Sequence, residues 1–236
     1  MIRTVIVDDE QHARDELASL LNEAGGIDIV ASCGNAVEAI RAINRLRPQA
    51  LFLDIQMPVL DGFEMLGMID DEIMPHVIFV TAYDSYALRA FEEKTLDYLL
   101  KPVEPERLAK ALEKLRLVVQ SGERPDISTE PLKRIPCAIG SRIKLVDPDE
   151  VDHAHSDLSG VHLYTGSGSF FTELTLKTLE QRTDLVRCHK SYLVNVACID
   201  EIRLLDNGLA EIRTRGGQNL PVSRRYLRHL KDVLNI

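Results

Sequence analysis

"LFLDIQMPVLDG", residues 51–62, decides how the first half of the chain folds. With Ala50 in front of it, the stretch opens on the run "ALFL", which holds no polar residue before Asp54. A short run that is apolar on both faces is a strand covered from both sides. Such a strand belongs in a parallel sheet with helices above and below it. The flanking sequence carries four more strand candidates: "RTVIV" (3–7), "IDIVAS" (27–32), "HVIFVT" (76–81) and "LDYLL" (96–100). Amphipathic segments alternate with them. Leu17, Leu20 and Leu21 share one helical face, and Val37, Ile40 and Ile43 share another. Leu108, Ala111, Leu112, Leu115 and Val119 make a third stripe at helical spacing. Asn35 stands where the second helix needs an N-cap. Residues 1–119 thus read as a fivefold βα unit.

In an open parallel sheet, ligands bind beyond the carboxyl ends of the strands. Strand 1 ends in Asp8 and Asp9, strand 3 in Asp54, strand 4 in Thr81, and strand 5 runs to Lys101. Three carboxylates crowded at one edge repel one another and raise one another's pKa. A hard divalent cation removes the conflict, and an all-oxygen ligand set favours Mg2+. An ammonium and a hydroxyl beside it suit an incoming phosphoryl group, with Asp54 as the nucleophile.

These residues sit in "VDDE", "LFLDIQMPVLDG", "VTAYD" and "DYLLKP", a set that closely resembles the receiver domain of two-component response regulators. The resemblance implies that Asp54 accepts the phosphoryl group. It also implies that Asp8, Asp9, Asp54 and the backbone carbonyl of Gln56 hold Mg2+. Thr81 and Tyr98 would form the switch pair, Lys101 would meet the phosphoryl group, and the Lys101–Pro102 bond would be cis. The surface reporting phosphorylation would lie in residues 84–119. Its charges are mixed (Arg89, Glu92, Glu93, Lys94, Asp97, Arg107 and Lys110), which suits a self-complementary homodimer.

Residues 120–134, "QSGERPDISTEPLKR", interrupt the alternation with two prolines, a glycine and polar residues, and read as a linker. From 135 to 236 the texture is mainly β: apolar runs of about five residues separated by turns, with "DNG" and "GG" as hairpin signals. Helices are expected at "LTLKTLEQR" and in the tail "SRRYLRHLKDVL". There Ser223 is the N-cap, and Tyr226, Leu227, Leu230, Val233 and Leu234 form the apolar face. Charge divides the chain as well. Residues 1–120 carry 12 basic against 21 acidic side chains, whereas residues 187–236 carry 9 basic against 5 acidic.

"RCHKSYLVN" (187–195) concentrates a thiol, an imidazole, an ammonium and a hydroxyl. A metal site is disfavoured, because Cys188 and His189 are adjacent and no C-x-x-C or H-x-x-x-H framework exists. His153 and His155, at i, i+2 spacing, could share a strand face. A Cys-His nucleophile is disfavoured because strand neighbours point to opposite sides. DNA contact accounts for more. Arg187, His189, Lys190 and Ser191 cluster, and Arg224, Arg225 and Arg228 occupy the wrong end of a helix dipole, a broken rule that a phosphate would compensate.

"RCHKSYLVN", followed by a "DNG" hairpin and "LPVSRRYLRHL", resembles the LytTR DNA-binding domain of the AlgR/AgrA/LytR group. That resemblance covers about residues 133–236 and implies a compact β-fold that reads DNA through loops. It places contacts in the loop around Ser156–Val161 (Ser159 and Val161), at His189, Lys190 and Ser191, and at Arg224 and Arg225. The loop "SDLSGV" departs from the pattern, because it has no basic residue and includes Asp157. In this family His189 would organise the loop and Cys188 would pack inward.

Together these features describe an α/β protein: a five-stranded parallel (βα)5 receiver domain (1–119), a linker (120–134) and a mainly-β LytTR domain (135–236). The expected function is a cytoplasmic response regulator and not an enzyme. A sensor histidine kinase phosphorylates it, and it then forms a homodimer on promoter DNA, with RNA polymerase as a further contact. No leader and no apolar run of the roughly 18–20 residues a membrane span needs is read in the sequence. The alternative is a receiver whose output domain docks on a protein. A phosphohydrolase built on Asp54 would need a second aspartate where Gln56 stands.

Overall fold

The computed structural model describes residues 1–83, 95–123, 125, 131–140, 142–205 and 208–234. The expected surface residues Arg89, Glu92, Glu93 and Lys94, residues 124 and 126–130 of the linker, and Asp206–Asn207 of the "DNG" signal lie outside the described residues. The chain divides into two units, Met1–Glu130 and Pro131–Ile236.

The first unit is a parallel sheet of β1 (Ile2–Val7), β2 (Ile27–Cys33), β3 (Ala50–Leu53), β4 (His76–Thr81) and β5 (Asp97–Leu100). Its order is β2-β1-β3-β4-β5. Ala50, Leu51, Phe52 and Leu53 are all fully buried, as the two-sided apolar run required. Each buried Leu or Phe contributes about 1.5–3 kcal/mol through removal from water. Helices α1 (Gln11–Ala24), α2 (Ala36–Leu46) and α3 (Gly62–Leu66) lie between strands, and α4 (Pro105–Ser121) follows β5. The Asn35 side chain caps α2 by accepting the Glu38 N–H at 2.9 Å. Leu108, Ala111, Leu112 and Leu115 of α4 pack with Ile6, Phe52, Ile78 and Val80, while Val119 is only partly buried.

Register places the functional edge. Val7 pairs with Leu53 and with Cys33, so Asp8 and Asp54 leave the sheet side by side. Thr81 pairs with Leu100, which brings Lys101 next to them; β5 ends at Leu100, where the run "LDYLL" ends, and Lys101 follows it. α4 runs to Ser121, past the expected boundary at 119.

The second unit has a seven-stranded antiparallel sheet, ordered β11-β12-β8-β9-β10-β6-β7, and a three-stranded sheet, β13-β14-β15. The larger comprises β6 (Ile135–Ile139), β7 (Arg142–Val146), β8 (Val151–Asp157), β9 (Gly160–Thr165), β10 (Gly168–Thr172), β11 (Leu185–His189) and β12 (Tyr192–Asn195). The smaller comprises β13 (Ile199–Leu204), β14 (Ala210–Thr214) and β15 (Asn219–Val222). β15 holds Pro221, which lacks an N–H and is tolerated because this strand is at an edge. Two helices complete the unit: α5 (Leu176–Arg182), capped by Thr175, and α6 (Arg224–Leu234). Cys188, Val194, Ala210, Ile212, Leu220, Val222 and Leu230 form one core that joins both sheets and α6. Leu227 and Leu234 pack against it as expected, but Val233 is 39% exposed and stands off that face.

Candidate functional site

The acidic edge is built by backbone bonds that continue the ladder past the strand ends. The Asp54 N–H donates to the Val7 carbonyl at 2.8 Å, and the Lys101 N–H to the Thr81 carbonyl at 2.9 Å. The turn after Asp54 needs Gly62: a Cβ there would lie 2.6 Å from the Asp54 carbonyl oxygen. Gly62 also donates its N–H to Ile55 at 2.8 Å, closing the loop over the pocket.

Asp8 and Asp54 are buried and Asp9 is exposed, yet one oxygen from each lies within 4.8 Å of the others. Among the described residues this is the one group of three such ligands. Lys101 Nζ sits between two of them, 2.6 Å from Asp8 Oδ2 and 2.8 Å from Asp54 Oδ2. Burial pushes the Asp8 carboxyl above its ordinary range. Hydrogen bonds from Lys101 and the Glu10 N–H oppose the rise, and the charge of Asp54 adds to it. Burial also acts against the Lys101 ammonium, but its bonds to Asp54 and Asp8 outweigh that and hold it above the usual lysine range. One ammonium does not balance three carboxylates, and an oxygen-only donor set fits a hard divalent cation such as Mg2+. Gln56 follows closely, its N–H donating to Asp54 Oδ1 at 3.3 Å.

Thr81 is fully buried, and its Oγ1 has no hydrogen-bond partner among the described residues. A buried hydroxyl left unpaired costs about 1–3 kcal/mol, so this one is poised for an acceptor. Tyr98 pairs with Phe79 across β4–β5, which puts Phe79, Thr81 and Tyr98 on one face of the sheet. The Tyr98 hydroxyl donates to the Tyr83 carbonyl, and the ring meets Phe79 edge-on at 6.5 Å. The Lys101–Pro102 bond is cis.

Arg14 was missed in the sequence, and Arg107 was read there only as a surface charge, its bracing contact missed as well. Arg14 Nη1 donates to the Asp8 carbonyl at 2.5 Å and braces the first aspartate pair. Nothing in the helical pattern marks it, because its partner is a backbone atom on another element. Arg107 holds both oxygens of Asp97 and also the Tyr98 carbonyl at 3.1 Å, and Lys114 meets Asp97 at 3.0 Å. Arg107 therefore ties β5 to α4 beside Tyr98.

In the second unit, backbone bonds gather the three expected contact segments around the β11–β12 turn. The Ser156 N–H donates to the Ser191 carbonyl at 2.9 Å, and the Ser223 N–H, just before α6, donates to the Cys188 carbonyl at 3.1 Å. Lys190, Arg224 and Arg225 are exposed, Arg225 lying 5.5 Å from the Tyr226 ring. His189 is half-buried. It accepts the Ser191 N–H at Nδ1 (3.3 Å), which leaves the ring proton of the neutral form on Nε2. Burial holds its pKa below the usual histidine value, and the Lys190 charge adds to this. Ser159 is engaged within its own loop, and Val161 is 8% exposed in a strand paired on both sides, so neither is free to meet a ligand as expected. Arg187 turns away: its guanidinium meets Glu180 at 2.8 Å and the Lys190 carbonyl at 3.2 Å, bracing the turn from behind.

The alternative chemistries find no support in this geometry. Cys188 is fully buried, and burial pushes its thiol up to about 12, far from a reactive thiolate. His153 stacks on Tyr164 at 4.4 Å and His155 on Tyr192 at 4.2 Å, so both imidazoles pack against aromatic faces. No helix among the described residues is long and apolar enough to cross a membrane.

Comparison with known proteins matches this division. Residues 4–113 match the response regulator receiver domain, and residues 141–235 match the LytTr DNA-binding domain. An uncharacterized response regulatory protein of Yersinia pestis is 52% identical over 237 residues, covering all of both chains. The transcriptional regulatory protein BtsR of Salmonella typhimurium is 51% identical and that of Escherichia coli K12 50% identical, each over 242 residues and the whole of both chains.

Proposed function

The chain belongs to the response regulators that join a receiver domain to a LytTR DNA-binding domain, and on that premise we propose that it is a phosphorylation-switched transcription factor. Asp54 is the acceptor. Its carboxylate oxygen forms the bond to phosphorus of a phosphoryl donor, a sensor histidine kinase or a small acyl phosphate, and the donor's own bond to phosphorus breaks. The observation that carries this reading is Lys101 Nζ held between Asp54 and Asp8, with the buried Thr81 hydroxyl, which has no partner among the described residues, on the neighbouring strand. The ammonium is placed to meet a phosphoryl oxygen, and the hydroxyl gains the acceptor it lacks. Asp8, Asp9, Asp54 and the Gln56 carbonyl would hold Mg2+, which when bound screens the charge of the carboxylates and the incoming phosphoryl group.

The phosphoryl group adds roughly −1.5 to −2 charge, enough to bias a two-state element. In this reading Thr81 moves to it, Tyr98 follows, and the change reaches the Asp97–Arg107 contact and the surface of α4, where two copies pair. Two copies matter because this reading gives each second unit only three phosphate-contacting cations, so one alone binds DNA weakly. Lys190, Arg224 and Arg225 supply phosphate contacts, and His189 and Ser191 shape the turn between them. The reading places the protein in the cytoplasm, with a kinase, promoter DNA and RNA polymerase as partners. The clustering of those cations about one turn favours DNA over a docked protein as the target.

The test is labelling with acetyl phosphate and Mg2+ in wild type and Asp54→Asn. Wild type takes one phosphoryl group and the variant none. Equal labelling of the variant would remove Asp54 from the pocket's chemistry.

A further inference from the structure

The loop between β8 and β9 carries no cation, so it cannot hold DNA as Lys190 or Arg224 would. Its geometry indicates what it does instead. Asp157 spends its carboxylate inside the loop, with Oδ1 accepting the Ser159 N–H at 2.7 Å and the Ser159 hydroxyl at 2.5 Å. That hydroxyl has no second proton, so His162 Nε2, 2.8 Å away, donates to it. Gly160 adopts φ +122°, and a Cβ there would strike the Phe171 ring at 2.5 Å. The turn is therefore fixed from both sides. Its one remaining side chain, Leu158, stands at the tip with 109% relative exposure, the highest among the large apolar residues described.

A single exposed leucine is ordinary on a protein surface. This one is held outward on a braced tip, and the base of its loop is bonded through Ser156 to Ser191, next to the exposed Lys190. The Asp157 charge beside it repels phosphates, so the tip has no business at the DNA backbone. In the major groove, the base-edge group that a branched apolar side chain matches is the thymine C5-methyl.

We propose that Leu158 determines operator specificity by packing against thymine methyl groups in the major groove, while Lys190 and Arg224 hold the flanking phosphates. This inference rests on the DNA-binding reading above. It makes the acidic loop a reader of base identity that adds little to non-specific affinity.

The experiment selects duplexes from a random pool with the full chain treated with acetyl phosphate. It then replaces each thymine of the selected site by deoxyuridine, which removes only the methyl group. For wild type, at least one replacement weakens binding about three- to fivefold, the effect of exposing one buried methyl. Leu158→Ala weakens binding to the parent site by a similar factor and is indifferent to that replacement, and Leu158→Met restores part of the sensitivity. Lys190→Ala weakens binding to parent and substituted sites alike. A Leu158→Ala protein that keeps the full deoxyuridine effect, or a wild type indifferent to every replacement, overturns the proposal. A wild type that enriches no duplex overturns the DNA-binding reading itself, and this inference with it.

Discussion

Replacing Thr81 by valine should move the resting and phosphorylated states in opposite directions. Valine keeps the β-branched frame and exchanges the hydroxyl for a methyl group. In the resting protein the hydroxyl is fully buried and has no partner among the described residues. Its removal therefore lifts a penalty of about 1–3 kcal/mol and breaks no bond. Allowing for imperfect packing of the new methyl group, the receiver should gain roughly 1 kcal/mol, a rise of about 4 °C in its midpoint. In the phosphorylated protein the same hydroxyl should bond a charged oxygen, a contact of about 1.5–3 kcal/mol. Its loss should cut the active population about tenfold or more. The chain has no tryptophan, so scanning calorimetry suits the first measurement, and sedimentation with acetyl phosphate and Mg2+ the second. A resting midpoint that falls by about 4 °C or more would mean that the hydroxyl is already satisfied, and the argument for a poised switch would fail.

Gly62→Ala should destabilise the receiver by about 1–3 kcal/mol and slow Asp54 labelling, because the new Cβ meets the Asp54 carbonyl at 2.6 Å; unchanged melting and labelling would show that the loop relaxes freely. Asp97 is subject to burial, which raises its pKa, but Arg107, the Tyr98 N–H and Lys114 outweigh this and hold it below the usual value. Its contribution to stability is therefore present above about pH 4 and lost as pH falls through the lower folded value. Urea midpoints of Asp97→Asn should change less with pH in that window than those of wild type, and parallel curves would argue against the assignment. Arg224→Ala should weaken DNA binding and lower the salt slope by about 1 if Arg224 meets one phosphate; an identical isotherm would place it outside the interface.

Much of the receiver was legible because its signals are local. A run apolar on both faces identifies a central parallel strand, and the residue after each run must then lie on the ligand edge. Asp8, Asp54, Thr81 and Lys101 were found this way, and the structure gathers them. Arg14 and the Arg107–Asp97 contact were not found, because each depends on a partner from a distant element. The second unit was harder for a related reason. Val161 is enclosed by strands on both sides, Val233 lies off the packed face of α6, and the shift between Arg187 and His189 is invisible in the residue pattern. Arg187 read as part of a basic cluster, yet Glu180, seven residues earlier on α5, claims it. Such pairings are fixed by topology and not by composition.

The β11–β12 turn is joined to its two neighbouring segments through main-chain atoms, Ser156 to Ser191 and Ser223 to Cys188. No side chain is spent on those joints. Leu158, Lys190 and Arg224 can then be exchanged for other residues without dismantling the frame that presents them. A lineage could retune its operator by drift at three exposed positions, and an engineer could randomise the same three and expect folded libraries.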